Sequence, residues 1–478
     1  MGARAGGPRA RRQIGPSVVE ESFVDAVVNV VSSIFWGVVT FSILVFVHEG
    51  GHFLAARACH VRVTEFFLGL PCRFNIHHTS KRIGTRFGIT PILLGGYAQV
   101  CGMDPSRSEH APAVLACIHR HGSISVADIA RELGISEDDA VAACAQLEDW
   151  GSVAPVYDAS KGEHEGGAYY ASTYASMPRD KAGLTIYDGR AFDREHATAQ
   201  GEAWDPPMGT DAFFAQERAH VYLGMGFWRR ALILVAGIAV NIVVGLLLII
   251  VVYSGIGYEV AVDTNVIGSV TEGSPAEELG LEAGDTITAL DGEQVSSWSD
   301  ILEALDDAEA GQEVEVTFEH GGETVSGTAT LDEDGLLGIG VSYEHYRAGV
   351  GEALSLGLSA VYETGAAVVE LLIPTRTMEV LESSTSIVGV SVMSAEAASY
   401  GASTYLVFIS LVSFSLGLMN LLPIPPLDGG KLLIEVIQAI IRRELSPKVQ
   451  NALSWIGIIL FGVLFIYLLQ ADITRFIL

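Results

Sequence analysis

The chain alternates between long apolar stretches and polar segments. No Lys, Arg, Asp or Glu interrupts residues 27–47, which is about the length of helix needed to cross the hydrocarbon core of a membrane. Three later stretches are comparably apolar. The four stretches lie at about 26–47, 231–253, 403–423 and 453–470. The pattern therefore predicts four transmembrane helices, and the first stretch is too long to be a cleaved signal peptide.

Two weaker apolar stretches, at 354–374 and 386–400, carry glutamates among their hydrophobic residues. A helix with an apolar face and a charged face typically lies in the membrane interface, so we expect both to run along the membrane surface. The composition indicates a polytopic membrane protein with water-soluble modules, because 49% of the 478 residues are hydrophobic and the mean hydropathy is +0.37.

The first apolar stretch ends in the sequence His48-Glu49-Gly50-Gly51-His52. Two histidines four residues apart face the same side of a helix and can hold one zinc ion, while the glutamate between them is placed to deprotonate a water molecule held by the metal. Patterns of this kind also occur by chance in soluble helices with solvated histidines. At membrane depth, however, ionisable groups are costly and usually functional, which favours a metallopeptidase.

A catalytic zinc normally takes three protein ligands, so a third ligand is needed. Asp428 follows the third apolar stretch, within the segment 420–430 that prolines and glycines interrupt. Irregular backbone at membrane depth is tolerated where it is buried or lines a cavity, which fits a site. A helix cap or a turn just outside the membrane is the alternative for Asp428. Weaker candidates for metal binding are Cys59, Cys72, His77 and His78.

Four sequence motifs occur in order, at residues 48–52, 88–97, 237–241 and 420–430. Together they resemble the motifs of the site-2 protease family of intramembrane zinc metalloproteases, in particular the bacterial regulator of sigma-E protease type. The resemblance implies that the zinc ligands are His48, His52 and Asp428, and that Glu49 is the general base. The chain departs from the family pattern at Ile238, where proline is usual, and in residues 385–390, where the family often has Ser-Gly-Pro-Val-Gly-Ile.

The resemblance also implies how a substrate is held. Asn420 matches the family asparagine thought to hold the substrate backbone or the developing oxyanion, and residues 85–97 match a membrane-reentrant β-loop. The edge of that loop, with Gly95 and Gly96, would pair with an unwound substrate by strand addition. Unwinding is required because an intact helix shields its peptide bonds, and Pro or Gly in the substrate would ease it.

Charges near the spans predict their orientation. Between residues 251 and 350 there are 22 acidic residues and one basic residue, Arg347. Basic residues lie on the other side of the first and second spans, and between the third and fourth. They are Arg57, Arg62, Arg73, Lys81, Arg82, Arg86, Arg229, Arg230, Arg442, Arg443 and Lys448. The positive-inside rule then makes the first loop cytoplasmic and the acidic region external, although the arginines at positions 4, 9, 11 and 12 point the other way.

The acidic region resembles the PDZ domains of bacterial proteases in residues 266–276, 280–287 and 290–292. Alternating strand patterns, glycine-rich turns and a helix at about 298–308 predict a small α+β module over 266–345. Such modules capture peptide ends by β-augmentation. In the family the module is thought to admit substrates that another protease has already trimmed. One copy is evident in this chain, whereas the sigma-E regulator type has two.

More than a hundred residues separate residue 103 from the second span, where the family typically has a short connection. Helices are predicted at 113–122, 125–133 and 137–150, and strands at 152–157 and 168–172 around a glycine-rich wing, which resembles a winged-helix domain. Residues 174–215 are predicted to be an extended or partly disordered linker.

DNA binding is disfavoured for this insertion, because residues 123–151 carry seven acidic residues and one basic residue, and the whole chain has a net charge of −29. We therefore expect a cytoplasmic protein partner or a structural role, and no nucleic acid. All five cysteines fall on the side predicted to be cytoplasmic, so reduced thiols are expected.

The predicted fold class is a polytopic α-helical membrane protein with about four transmembrane helices, a membrane-reentrant β-loop, an extracytoplasmic PDZ domain and a cytoplasmic winged-helix-like insertion. The predicted segments are an N-terminal segment (1–25), the first helix with the zinc motif and β-loop (26–103), the insertion (104–173), a linker (174–228), the second helix (229–257), the PDZ domain (258–350), interfacial segments (351–402) and the last two helices with the aspartate ligand (403–478).

The predicted function is zinc-dependent hydrolysis of a peptide bond within a transmembrane segment, following a first cut outside the membrane. The family resemblance implies substrates such as membrane-bound anti-sigma factors and leftover signal peptides, contact with membrane lipid, and a location in a bacterial cytoplasmic membrane with the site near the cytoplasmic side. The alternative is a non-catalytic membrane scaffold. Glu49 argues against a scaffold, because a scaffold has no need of a general base between two zinc ligands.

Overall fold

The computed structural model describes residues 16–164, 170–306 and 308–476, so the arginines at positions 4, 9, 11 and 12 lie outside the described residues. The chain divides into two units, one formed by Met1–Leu248 with Leu356–Leu478 and the other by Ile249–Ser355.

The helices and strands of the described residues are as follows. The helices are α1 Pro16–Ala58, α2 Ala111–His121, α3 Val126–Leu133, α4 Glu137–Asp149, α5 Thr210–Arg218, α6 Phe227–Ile250, α7 Pro275–Leu279, α8 Trp298–Leu305, α9 Val350–Glu370, α10 Thr377–Ser383, α11 Ile387–Ser399, α12 Ala402–Asn420, α13 Asp428–Ile441 and α14 Pro447–Phe476. The strands are β1 Val63–Leu68, β2 Ile76–Thr79, β3 Arg86–Ile89, β4 Gly96–Val100, β5 Ser123–Ser125, β6 Val153–Val156, β7 Thr173–Ser176, β8 Tyr258–Ala261, β9 Ile267–Val270, β10 Thr286–Leu290, β11 Glu293–Gln294, β12 Glu313–His320, β13 Glu323–Thr330, β14 Ile339–Val341 and β15 Tyr343–Tyr346.

Four of the described helices are long and apolar enough to cross a membrane. They comprise Val27–Ala58, Phe227–Ile256, Ala402–Asn420 and Pro447–Arg475. The second continues from α6 through a π-helical turn at Val251–Ile256. These helices coincide with the four stretches predicted from hydropathy, and they make the chain a multi-pass membrane protein.

A mixed sheet follows α1, in the strand order β2-β3-β1-β4. Strand β1 is parallel to β3 and antiparallel to β4, so β4 forms one edge of the sheet. Phe53 of α1 packs against Phe66 and Phe87 of the sheet, with ring centroids 5.4 and 5.5 Å apart. The predicted β-loop, residues 85–97, thus contains β3 and the beginning of β4, and it rests on the helix that carries the histidines.

The segment between β4 and α6 has its own hydrophobic core. Helices α2, α3 and α4 pack on a three-stranded antiparallel sheet of order β5-β7-β6, with Leu115, Ile129 and Leu147 fully buried. Ser125 and Ser136 cap α3 and α4 by accepting hydrogen bonds from the main chain of Asp128 and Asp139. Acidic first turns stabilise these helices, because the N-terminal end of a helix favours negative charge.

The strand predicted at 168–172 is wrong. Residues 168 and 169 lie outside the described residues, and the strand is β7, at Thr173–Ser176. Tyr174, in the middle of β7, is fully buried in the core of the insertion and pairs with Ile124 and Pro155 on the two neighbouring strands. Packing of this ring therefore sets the strand position, and it overrides the β-propensity of the residues just before it.

The prediction that residues 174–215 form an extended or partly disordered linker is also wrong. This segment contains β7, a 3₁₀ helix at Ile186–Ala191 and most of α5. Phe213 is fully buried in the core of the insertion, and Trp204 packs against the same core. The polar composition that indicated a linker is explained by charged residues that are buried through pairing.

These buried charges form one network. Arg62, which lies between α1 and β1, donates to both carboxylate oxygens of Asp188 at 2.7 and 2.8 Å, and to both of Glu217 at 2.7 and 3.0 Å. Arg179 also binds Glu217 at both oxygens, at 2.7 and 2.9 Å. The side chains of Arg62, Arg179 and Glu217 are completely buried. The network therefore fastens the insertion to the start of β1.

The network sets the protonation of two buried groups. Burial alone would raise the pKa of Glu217, but Arg179 and Arg62 hold that pKa well below its usual range. Burial, together with Arg179, lowers the pKa of His119 to about 3. His119 is therefore neutral, and its Nε2 accepts a hydrogen bond from Arg179 Nε at 3.0 Å.

Helix α11 covers most of residues 386–400, which the sequence predicts to run along the membrane surface. It packs against α1 and α12, where Thr40 Oγ1 lies 3.1 Å from Ser394 Oγ and 2.9 Å from the Tyr405 hydroxyl. Buried Asp472 of α14 accepts main-chain hydrogen bonds from Ser386 and Gly389 at the start of α11. These polar contacts explain why a short, weakly apolar helix belongs to the helical bundle.

The unit Ile249–Ser355 contains a four-stranded antiparallel sheet of order β11-β10-β12-β13, and two paired strands, β14 with β9 and β15 with β8. Ile287, Val316 and Phe318 form its core together with Ile301 of α8. Helix α8 begins at a capping box formed by Ser297 and Asp300, and it ends at Leu305, before the predicted residue 308.

Candidate active site

His48 and His52 lie on one face of α1, one helical turn apart. Both are buried, with 7% and 8% of their surface exposed, and their rings meet edge to face with centroids 4.8 Å apart. Their Nε2 atoms lie 3.2 Å from each other. Two imidazole nitrogens therefore point toward a common position on the inner side of the helix.

Asp428 completes this group from the other end of the chain. It is the first residue of α13 and is 8% exposed, and its Oδ2 lies 3.1 Å from His48 Nε2 and 3.0 Å from His52 Nε2. A tetrahedral zinc with ligand bonds near 2.0–2.1 Å would separate neighbouring ligand atoms by about 3.3 Å. The three atoms are arranged almost at this spacing, so the residues fit a zinc ion.

The tautomer of His52 also fits metal binding. Its Nδ1 lies 2.7 Å from the main-chain oxygen of Ile233 on α6, so Nδ1 carries the proton and donates it to that oxygen. The lone pair of Nε2 is then free to face a metal.

Two glycines allow α1 and α6 to approach closely enough for this contact. A Cβ atom at Gly237 would lie 2.5 Å from His52 Nε2 and 2.9 Å from His48 Cε1. A Cβ atom at Gly51 would lie 2.5 Å from the main-chain oxygen of Ala236. Any larger residue at either position would push the helix crossing apart or displace the imidazoles.

Glu49 is half-buried between the two histidines. Its Oε2 accepts a hydrogen bond from the main-chain amide of Ala98 in β4 at 2.9 Å. Because this amide is directed at Glu49 rather than at β1, Glu49 lies at the open edge of β4. The carboxylate of Glu49 is thus held beside the edge of β4, next to the group formed by His48, His52 and Asp428.

The remaining residues predicted to act at the site are less closely associated with the cluster. Asn420, at the end of α12, donates from Nδ2 to its own helix at the Leu416 oxygen, 2.9 Å away. Gly96 pairs with Leu68 in the sheet, and the oxygen of Gly95 accepts from the amide of Gly69 at 2.7 Å. The structure places the two glycines at the start of β4, two and three residues from the amide that binds Glu49.

The weaker ligand candidates lie elsewhere. His77 and His78 are exposed on β2, and the ring of His77 pairs with Asn75. Cys59 is buried and Cys72 is half-buried, and neither belongs to the group formed by the histidines and Asp428.

Three further residues contact the site without having been predicted from sequence: Ile233 and Asn241 in α6, and Ala98 in β4. The spacing of Ile233, Gly237 and Asn241, each four residues after the last, indicates one continuous face of α6, and that face meets the histidines. A glycine and an asparagine at this spacing within an apolar helix were the available sequence signal.

Comparison with known proteins gives the family. The model of peptidase family M50 matches residues 36–464. A zinc metalloprotease RasP of Shouchella clausii is 26% identical over 91% of this chain and 97% of its own length. The regulator of sigma-W protease RasP of Bacillus subtilis is 25% identical over 92% of this chain and 97% of its own length.

Among solved structures, PDZ domains match one part of the chain. The PDZ domain of an SdrC-like protein of Listeria innocua is 30% identical, with 18% of this chain and 98% of that domain covered and a TM-score of 0.16. The corresponding domain of Listeria monocytogenes is 25% identical, with 17% and 90% covered and a TM-score of 0.16.

Proposed function

The chain belongs to peptidase family M50 and is an intramembrane zinc metalloprotease, and we propose that it cleaves a single-pass membrane protein within its transmembrane segment. The observation that carries the proposal is the convergence of His48, His52 and Asp428 beside Glu49, on a helix apolar enough to span a membrane. Peptide hydrolysis at that depth requires water, a base and an electrophilic centre; Glu49 can provide the base, and the other three residues can hold the metal ion that would be the electrophilic centre.

In this proposal His48, His52 and Asp428 hold the zinc ion, and Glu49 is the general base. Zinc, when bound, supplies Lewis-acid chemistry and lowers the pKa of water to about 7. Glu49 takes the proton from the attacking water and later gives it to the leaving amine. The amide of Ala98 fixes the carboxylate of Glu49 in the orientation that this transfer needs.

The open edge of β4 supports strand addition as the mode of substrate binding. An unwound substrate segment that pairs with the part of β4 beside Ala98 would place its carbonyl carbons near Glu49, because the Ala98 amide itself already holds the Glu49 carboxylate. Gly95 and Gly96 lie where the segment would enter, and they present no side chain to block it. Asn420 would hold the substrate backbone or the developing oxyanion once it turns away from Leu416.

The substrate class follows from the relatives. One relative is named a regulator of sigma-W protease, which supports an anti-sigma factor-like membrane protein as substrate. A remnant signal peptide has the same chemistry, a single apolar helix with a short flank. We propose that a first extracytoplasmic cut precedes this reaction, and that the PDZ-like unit Ile249–Ser355 admits only the trimmed product.

We place the protein in the cytoplasmic membrane of a bacterium, in contact with lipid, with the active site near the cytoplasmic side. The basic residues after α1 and at the start of α6 support this orientation, and the 22 acidic residues of 251–350 support an external position for that unit.

The insertion between β4 and α6 is proposed to be a winged-helix-like domain that docks a cytoplasmic protein. Its element order of helix, strand, two helices and two strands supports this. The first turn of α4 carries Glu137, Asp138 and Asp139, a surface that repels phosphate, so the proposal includes no nucleic acid.

The alternative is a membrane scaffold that only binds partners. One experiment separates the two. The purified chain is reconstituted in vesicles with a single-pass substrate whose apolar helix contains either leucines or a central Gly-Pro pair. A protease cuts the Gly-Pro substrate faster, because that helix unwinds more easily, and the cut maps within the apolar segment. A scaffold leaves both substrates intact.

A further inference from the structure

The side chain of Asn241 is a buried polar group that has no role in the proposed reaction. Asn241 is fully buried in the middle of α6, and its Nδ2 lies 3.4 Å from Nδ1 of His48. Its Oδ1 has no hydrogen-bond partner among the residues that the structure describes. A buried amide oxygen without a partner is costly, and more so within a membrane, where lipid offers no donor.

His48 lacks an acceptor for the proton on its Nδ1. To hold a metal through Nε2, its ring must carry the proton on Nδ1, and that proton needs an acceptor. With the amide nitrogen of Asn241 beside it, Nδ1 faces a donor instead. The oxygen and the nitrogen of a carboxamide have nearly the same shape, so a half-turn of the amide exchanges them without moving any neighbour. That exchange gives Oδ1 a donor and gives Nδ1 an acceptor.

We propose that Asn241 is a positioning residue, whose side-chain oxygen accepts the Nδ1 proton of His48 and so fixes His48 as an Nε2 ligand. This inference rests on the proposed zinc site. Each histidine would then donate its Nδ1 proton to an oxygen on α6 and keep Nε2 for the metal. His52 already does so, because its Nδ1 donates to the oxygen of Ile233, two turns earlier on the same face of α6.

The surroundings of Asn241 explain why its side chain, rather than its main chain, would accept the Nδ1 proton of His48. The main-chain oxygen of Asn241 already accepts a hydrogen bond from the Ser413 hydroxyl on α12, at 2.9 Å. A Cβ atom at Gly417 of α12 would lie 3.3 Å from the Cβ atom of Asn241, so α12 packs closely behind it. Helix α12 therefore packs behind Asn241 and holds it against His48.

The test measures zinc affinity of the full chain purified in detergent, by competition with a chelating indicator, together with the visible spectrum of the Co²⁺ form. Three variants are compared with the wild type. Asn241→Leu keeps the volume and removes the acceptor, Asn241→Asp keeps an acceptor, and Ser413→Ala removes only the contact to the main chain of Asn241. His52→Ala identifies which bound metal belongs to the site.

A positioning role predicts a specific order of affinities. Asn241→Leu loses roughly 10- to 100-fold in zinc affinity and changes the Co²⁺ spectrum, as expected when a partner supporting a metal-binding histidine is removed. Asn241→Asp binds zinc within about threefold of the wild type or more tightly, because a carboxylate is a stronger acceptor of the Nδ1 proton. Ser413→Ala stays close to the wild type.

A purely structural role predicts the reverse order, because leucine would be tolerated and a buried charge would be disruptive. If Asn241→Leu binds zinc like the wild type, or if Asn241→Asp loses most of the affinity, the inference is wrong. Should the leucine variant not fold, Asn241→Asp alone decides between the two roles. If His52→Ala leaves zinc binding unchanged in the wild-type background, the proposed zinc site itself fails.

Discussion

The main-chain amide of Ala98 donates a 2.9 Å hydrogen bond to Oε2 of Glu49, and this contact joins the open edge of β4 to the residue between the two histidines. The edge strand of the sheet therefore directly positions the glutamate of the HEGGH motif. In the proposed mode of binding, a substrate strand would pair with β4 next to the amide that holds Glu49, so one strand would position both the substrate and the proposed base.

Replacing Ala98 by proline tests this coupling. Proline removes the amide hydrogen directed at Glu49, and the ladder to β1 does not use that hydrogen. Loss of a hydrogen bond to a charged group costs about 1.5–3 kcal/mol, so we expect kcat to fall roughly 10- to 100-fold while bound zinc is unchanged. Ala98→Gly keeps the amide and serves as the control. Equal turnover by the proline and glycine variants would show that the contact does not orient the base.

Replacement of Asp428 tests whether this residue is a zinc ligand together with His48 and His52. Asp428→Asn keeps the shape of the side chain and weakens it as a ligand, so zinc affinity should fall by more than the roughly 10- to 100-fold typical of losing a supporting partner. Cys72→Ser, at a half-buried cysteine outside the cluster, should retain the metal. The measurement is bound zinc per chain after dialysis. Full zinc in the Asp428→Asn variant would exclude Asp428 as a ligand.

The buried network predicts a large loss of stability in the insertion. Glu217→Leu leaves Arg179 without its carboxylate partner, and breaking a buried pair in this way costs about 3–5 kcal/mol. The readout is the urea concentration at which a protease begins to cut residues 111–218. Arg131→Ala is the matched control, because the pair of Arg131 with Asp128 is exposed to solvent and such pairs contribute little to stability. Similar urea resistance of both variants contradicts the proposed attachment.

His119 predicts acid sensitivity of the same region. Its pKa is about 3 in the folded state and about 6.5 in an unfolded chain, so the unfolded state binds a proton first as the pH falls. The stability that the neutral ring provides is complete above pH 6.5 and is lost progressively toward pH 3, by about 3 kcal/mol at pH 4. His119→Gln keeps an acceptor for Arg179 and does not titrate. Its unfolding should therefore depend less on pH between 6.5 and 4, and an unchanged pH dependence would argue against His119.

Much of the site could be predicted from sequence because its chemistry is local. His48, Glu49 and His52 occupy one helical turn, and Asp428 is marked by the Pro- and Gly-rich segment around it. The contacts of Ile233 and Asn241 could not be predicted in the same way, because they depend on how α6 crosses α1. Only the four-residue spacing of Ile233, Gly237 and Asn241 pointed to a common face.

The linker prediction failed for a physical reason. Arg179 and Glu217 belong to a segment with the composition of a solvated linker, yet both are buried because each neutralises the other. Tertiary pairing of charged groups cannot be read from hydropathy, and in this segment it decided the structure.

Comparison of wild type with Glu49→Gln tests zinc-dependent proteolysis at this site, by measuring cleavage of a single-pass membrane substrate and bound zinc in the same purified samples. Loss of a general base should lower turnover by roughly 10²- to 10⁴-fold, while His48, His52 and Asp428 keep one zinc per chain. Equal cleavage by both proteins, or the absence of zinc from both, would contradict a zinc protease that uses Glu49 as its base.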